Sequence, residues 1–410
     1  MKKLILVLNT VNYWGIVLLP FSVAISPGVA NTVIGLMCAS FIIGKALKKE
    51  KPFTVTPAII IFWIFMIFGF LSFLNTVNLE DSLDGMVKLL KFFLIFVVSS
   101  EAIRDREHFK KIAVSAACGI TLIGIDGLWQ LFSGKDFIHG NSLQEAVGVK
   151  RVTGSFPGCN AMGVYLAGLT PFVLGLALFS TRLKLKAIFL VAAVIGGIGA
   201  YLTFSRGALL GIIVAAVFLV FINKNKLMIS LLIVMLLAFP FVIPKSVKDW
   251  AKSVNYNPVI MLTCQTRLSI YRNTLNMIRQ HPLLGVGINT FSRNYGKYRL
   301  AEVEDDFKTA DGYYAHNNFL HMAGETGLPS LAVFLAFLAV VFGSIWRSFK
   351  KISEPFLRAC SVSVLAALIA YLINGFTETN LYYSRIVMIF WFLVGLGLAL
   401  SRLEDKRGSA

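Results

Sequence analysis

Twelve stretches of mostly apolar residues, each about 17 to 25 long, recur along the 410 residues and constrain the fold more than any motif does. They lie near residues 7–26, 30–47, 56–75, 85–101, 111–132, 159–179, 186–203, 207–222, 227–244, 328–346, 358–375 and 384–401. A soluble core has no room for that many runs, and 57% hydrophobic with only 15% charged residues departs from the roughly 25% charge of soluble domains. The expected class is therefore an all-α polytopic membrane protein of about twelve transmembrane helices. Secreted enzymes, disulfide scaffolds and disordered chains are excluded, and nothing points to a nucleic-acid partner. The excess of 39 Lys and Arg over 21 Asp and Glu reads instead as membrane anchoring.

An even number of spans places both termini on one side. Of the Lys and Arg residues, 22 fall in the termini and alternate loops on that side, from Lys2 and Lys3 to Arg402, Lys406 and Arg407. Ten of the remainder sit in one long loop, where charge has little topological force. Both termini are expected to be cytoplasmic. Met1-Lys2-Lys3 before an apolar stretch resembles a signal peptide, but no small-residue cleavage site follows, so the first run reads as an uncleaved span. The five Cys residues show no C-x-x-C spacing; Cys159 and Cys264 fall on the external side, where a disulfide is open to test.

The chain divides into spans one to nine (1–244), an external cap (245–327), and spans ten to twelve with a short tail (328–410). The cap is too long for a connector and too polar for a span. Within it, Lys248–Val254 and Arg267–Gln280 read as helices, the second with an apolar stripe of Leu268, Tyr271, Leu275 and Ile278 at spacings of three and four. His281-Pro282-Leu283-Leu284-Gly285-Val286-Gly287 then ends that helix. A two-halved transporter would repeat six spans around a cytoplasmic connection, whereas here the long insertion is external and no repeat is evident. A transporter stays the competing class.

Polar residues with chemical potential concentrate on the external side. Arg206, in the short Thr203-Phe204-Ser205-Arg206-Gly207 turn, either snorkels as an anchor or grips a phosphate through two parallel hydrogen bonds. Arg267 and Arg272 on the cap helix can join that site, although for Arg272 a solvated face is the simpler reading. Lys88 and Lys91 share a face of span four and either snorkel or hold an anionic head group. Asp126 and Gln130, four apart in span five, face protein or a cavity. The densest cluster is Tyr313-Tyr314-Ala315-His316-Asn317-Asn318-Phe319-Leu320-His321, followed by Glu325. As metal ligands, His316 and His321 are spaced five apart, which fits one helix face less well than four. His321 and Glu325 can pair across a helical turn, leaving His316 as a general base next to an Arg-lined anion site.

Four pieces occur in order: Ser205-Arg206-Gly207-Ala208, Arg267 with Tyr271 four residues on, His281 to Gly287, and Ala315-His316-Asn317-Asn318-Phe319-Leu320 with Glu325-Thr326-Gly327-Leu328. In this arrangement the chain resembles the O-antigen ligase and polymerase family of bacterial inner membranes. The resemblance implies a helical C-type glycosyltransferase (GT-C) with its site facing the periplasm. It implies an undecaprenyl-diphosphate-linked glycan as donor and, for a ligase, a lipid A core hydroxyl as acceptor; chain polymerases and protein O-oligosaccharyltransferases share the motifs. Residue by residue it implies catalytic roles for His316, Arg267 and Arg206. Arg272, Lys88, Lys91, Asn317, His321 and Glu325 are the candidate substrate-binding residues. Where the family commonly has Trp after the cap Arg, this chain has Tyr271. Neither metal nor cofactor is expected, since a diphosphate is already an activated leaving group.

Overall fold

The computed structural model describes residues 1–146, 148–224, 243–300 and 314–408, with scattered positions between 225 and 242. Long helices dominate it: α1 (Lys2–Ile25), α2 (Pro27–Leu47), α3 (Pro57–Leu71), α4 (Leu79–Ala102), α5 (Arg106–Ser133), α6 (Cys159–Phe179), α7 (Leu183–Leu202) and α8 (Arg206–Asn223). The cap contributes α9 (Lys245–Ser253), α10 (Pro258–Leu262), α11 (Gln265–Gln280) and α12 (Phe291–Tyr295). Three more close the chain: α13 (Asn318–Lys351), α14 (Pro355–Asn374) and α15 (Val387–Gly408).

Helix starts follow local chemistry. Ser26 and Thr56 accept hydrogen bonds from Val29 N (3.2 Å) and Ile59 N (3.3 Å), each just ahead of a proline in the first turn. Among the described residues, ten helices are long and apolar enough to cross a membrane. Twelve spans were expected. The fourth corresponds to α4, whose 24 residues carry Glu80, Asp81, Asp84, Lys88, Lys91 and Glu101, too many charges for that criterion. The ninth, 227–244, lies largely outside the described residues.

Helix α6 is buried along nearly its whole length among α5, α7, α8 and α14, and forms the centre of the bundle. A second group, α3, α4, α13 and α15, packs through an aromatic cluster in which Phe62 meets Phe93, Phe96, Phe337 and Trp391 at ring-centroid distances of 5.1–6.0 Å. Asp126 and Gln130 at the end of α5 are both fully buried. Gln130 Oε1 accepts from Thr153 N (2.8 Å) and Gly154 N (3.0 Å), and Asp126 Oδ1 accepts from Phe137 N (2.9 Å). They order the segment between α5 and α6, which includes a short hairpin of β1 (Gln144–Ala146) and β2 (Val149–Arg151).

The cap has its own small core of Ile270, Met277, Val286, Phe291, Tyr295 and Tyr298. That core corrects the expected stripe on α11. Leu275 is 43% exposed, and the buried face is Ile270, Asn273, Thr274, Met277 and Ile278. Two polar residues can face inward because each is satisfied there: Asn273 Nδ2 donates to Tyr295 Oη (2.9 Å), Asn273 Oδ1 accepts from Leu300 N (3.0 Å), and Thr274 Oγ1 donates to Ile270 O (2.7 Å). Cys159 and Cys264 are free thiols, so the disulfide left open by the sequence is absent.

The His281–Gly287 loop locks the cap onto α13. Val286 N and Gly287 N donate to Gly324 O and Glu325 O (both 3.0 Å), and Leu328 N donates to Pro282 O (2.8 Å), where α13 breaks at Gly327 with φ of 85°. Gly285 has a φ of +64°, and a Cβ there would meet the Glu325 backbone. Gly285→Ala should therefore lower stability by about 2 kcal/mol or more, since both backbone strain and steric conflict oppose it. An unchanged unfolding midpoint in detergent would contradict this reading of the loop.

Candidate active site

Four segments far apart in sequence meet at one end of the bundle: the α7–α8 turn, the start of α11, the residues before α13, and the loop between α14 and α15. The turn is tight because α8 approaches that last loop closely; a Cβ on Gly207 would meet Thr377 Oγ1 and Asn374 Nδ2. This accounts for the glycine after Arg206. A cavity at the junction is lined by Arg151, Asn160, Ser205, Arg206, Arg267 and Glu378, among others.

Glu378 organises the site. Its side chain is 2% exposed, and its Oε1 accepts from an Arg267 Nη and from Asn160 Nδ2 (2.7 Å). Its Oε2 lies 3.3 Å from His316 Nδ1 and accepts at 3.5 Å from Tyr383 Oη. Burial pushes the Glu378 carboxyl up, but the Arg267 charge and the His316 hydrogen bond outweigh it and hold the group below the ordinary carboxylate value. For Arg267 burial acts downward and the Glu378 charge acts upward, with a raised value as the result. In a neutral imidazole, an ionised carboxylate beside Nδ1 makes that nitrogen the donor and leaves Nε2 with the lone pair. Nε2 has no hydrogen-bond partner among the described residues, and the ring remains 28% exposed.

The depressed Glu378 value has a pH consequence with a definite sign. Its contribution to stability is fully present above the unfolded carboxylate value of about 4.5 and is lost as pH falls through the lower folded value. Amide exchange across 376–380 and the start of α11 should accelerate below that range, and Glu378→Gln should flatten the dependence. Equal acid sensitivity in the variant would remove Glu378 as the cause.

His316 itself has left-handed backbone, φ 48°, which a non-glycine residue adopts only when its surroundings hold it. Tyr271 supplies the restraint: its one hydroxyl proton is shared between His316 O (3.0 Å) and Phe376 O (3.2 Å). Burial pushes that phenol up to about 12, so it stays a donor. Asn317 is the N-cap of α13; Oδ1 accepts from Phe319 N (2.9 Å) and Leu320 N (3.0 Å), while Nδ2 donates to Phe376 O (3.1 Å).

Arg206 stacks over Trp250 at 5.0 Å and donates to three carbonyls at the end of α10, Ile260 O (3.3 Å), Met261 O (2.6 Å) and Thr263 O. It thus ties the turn to the cap while facing the same cavity as Arg267. Arg151 adds a third guanidinium, donating to Thr203 O and to Asn160 Oδ1 (both 2.8 Å).

The other sequence candidates lie elsewhere. His321 Nε2 and Glu325 Oε1 are 3.3 Å apart, both buried, and Glu325 Oε1 also accepts from Phe291 N (3.1 Å) under the cap. Lys88 donates to Asn289 Oδ1 (3.2 Å) and lines a separate apolar cavity with Phe92, Tyr314, Glu325 and Trp391. Lys91 reaches Asn31 Oδ1 at 3.5 Å, and Arg272 is exposed on α11. Tyr313 lies outside the described residues. Among the described residues, no three His, Cys, Asp or Glu side chains are grouped to hold a metal ion.

Residues 191–335, from the middle of α7 through the cap into α13, match the model of the O-antigen ligase family. Over this segment, about a third of its length, the chain is similar to O-antigen ligases. Members of that family are glycosyltransferase-like enzymes, ligases or polymerases. A search among curated proteins matched none. The matched segment includes Arg206, Arg267 and His316, whereas Arg151, Asn160 and Glu378 of the same site lie outside it. Sequence reasoning missed Glu378. Its only signal was a carboxylate in Thr377-Glu378-Thr379-Asn380, a short loop between two apolar runs.

Proposed function

We propose that the protein is an O-antigen ligase of the bacterial inner membrane, with both termini cytoplasmic and the site facing the periplasm. It moves a glycan from undecaprenyl diphosphate to a lipid A core hydroxyl, on a GT-C-like helical scaffold. The observation that carries the reading is the Arg267–Glu378–His316 chain: a carboxylate that orients an imidazole, beside three guanidinium groups, at the end of a membrane bundle.

Arg267, Arg206 and Arg151 hold the donor diphosphate through charge-assisted hydrogen bonds. His316 Nε2 takes the proton of the acceptor hydroxyl as that oxygen attacks the anomeric carbon, and Glu378 stabilises the resulting imidazolium. The bond from the anomeric carbon to the diphosphate breaks, so the diphosphate leaves on its lipid and the anomeric centre inverts. A retained configuration in the product would rule out this single displacement. Asn317, which positions the start of α13, and the His321–Glu325 pair, which anchors the cap, support the site from behind; Arg272, Lys88 and Lys91 are left for contacts with the outer parts of donor or acceptor.

The test combines purified protein in detergent, a lipid-diphosphate-linked glycan and lipid A core, with product size read on a gel. A slower-migrating glycan conjugate that survives EDTA is expected. Longer lipid-linked chains without conjugate would make the protein a polymerase, intact donor with no product would favour transport, and activity lost to EDTA and restored only by a divalent ion would overturn the metal-free mechanism.

A further inference from the structure

A cavity of about 160 Å³ lies at the end of the bundle away from the cap, between the first half of α1, the end of α2 and the α4–α5 junction. Lys45, Lys48 and Arg104 line it, together with the rings of Tyr13 and His108 and the carboxylate of Glu50. The charge balance favours an anion. Glu101, next to the cavity, has both oxygens engaged, one by Lys45 Nζ and one by Thr54 N. Among the described residues Lys48 Nζ has only a 3.5 Å contact to Asn9 Oδ1, and Arg104 is exposed.

His108 adds a polar ring to the cavity wall. It is 7% exposed and packs against Tyr13 at 4.1 Å. Its Nδ1 lies 3.3 Å from Asp105 Oδ1 and has no aligned hydrogen bond among the described residues. The ring also lines the cavity, and Nε2 is the nitrogen not turned to Asp105. Trp14, Ile42 and Ile43, which adjoin the lining residues on α1 and α2, are all more than 40% exposed, as lipid-facing side chains would be.

We propose that this cavity binds a phosphate group, with the phosphodiester head group of an anionic phospholipid as its source in the leaflet opposite the cap. Arg104 and Lys48 meet the phosphate oxygens at the mouth, and the His108 ring donates from within. Basic pockets between transmembrane helices recognise acidic lipids in this way, each cation adding to the attraction near the surface. The site is remote from Glu378 and His316, so the proposal stands whichever glycan the protein transfers.

The full chain in uncharged detergent would be given equal amounts of phosphatidylglycerol and phosphatidylcholine, with bound lipid read by native mass spectrometry. Wild type should prefer phosphatidylglycerol, and Lys48→Gln with Arg104→Gln should reduce that preference about tenfold. Arg347→Gln with Lys350→Gln, which removes two cations at the same end but outside the cavity, should leave it unchanged. The proposal falls if wild type shows no preference, if the cavity variant keeps it, or if both variants lose it equally. His108→Gln provides a second variant without change of a permanent charge and should reduce the preference severalfold; no reduction would remove the ring from the site. Displacement of the lipid by millimolar inorganic phosphate would support the phosphate chemistry and make the free anion sufficient, whereas lipid that resists it supports the head group as the source.

Discussion

His316→Ala should lower glycan transfer by roughly 10²- to 10⁴-fold, with most of the loss in kcat. In the proposed mechanism the imidazole, whose Nδ1 lies 3.3 Å from the carboxylate that pairs with Arg267, is the base, and without it the acceptor must lose its proton to water. Glu378→Gln makes the sharper test, because an amide of the same shape can no longer enforce the Nδ1–H tautomer or stabilise the imidazolium. It should cost about 10²-fold or more in kcat in protein shown to be folded, since the variant also leaves Arg267 without its paired charge. The measurement is initial rate against acceptor concentration for wild type and both variants, and the two losses should not add when the substitutions are combined. Near-normal turnover in His316→Ala would move the base elsewhere, and additive losses would separate Glu378 from His316.

The second large effect concerns stability. Arg267 and Glu378 form a buried ion pair, with side chains 16% and 2% exposed. Removing one member strands a charge in a dry environment, so Arg267→Ala should destabilise the protein by about 3–5 kcal/mol. Replacing both, Arg267→Met with Glu378→Gln, should cost much less, because no uncompensated charge remains. Denaturant titration in detergent, monitored near Trp250, would read the cycle; a cost below about 1 kcal/mol for Arg267→Ala would show that the pair is wetter than its burial implies. Activity separates this from the catalytic prediction, since the double variant should be stable and inactive.

Sequence alone made some parts of this arrangement legible because their causes are local. Apolar runs mark the helices, and Pro282, Gly285 and Gly287 mark where α11 must stop. The pairing of His321 with Glu325 follows from a separation of four on one helix. Other features depend on partners that spacing cannot reveal. Leu275 looked like part of a buried stripe, but Asn273 and Thr274 take the inner face because Tyr295, Leu300 and Ile270 satisfy them. Lys88 and Lys91 share a helix face by their spacing, but that spacing does not reveal their hydrogen bonds to Asn289 and Asn31.

What the sequence determined by itself was the solvent in which this chain folds, the helices that follow from that solvent, and the few motif residues around His316, Arg267 and Arg206. Lipid cannot satisfy a backbone amide, so each apolar run must become a helix whatever its neighbours are. Tertiary structure alone decided that Glu378 sits between His316 and Arg267, partners 62 and 111 residues away in the chain. The reason is physical: a buried carboxylate is stable only where the fold brings cations and donors to it, and that encounter is a property of the packed bundle rather than of any one segment.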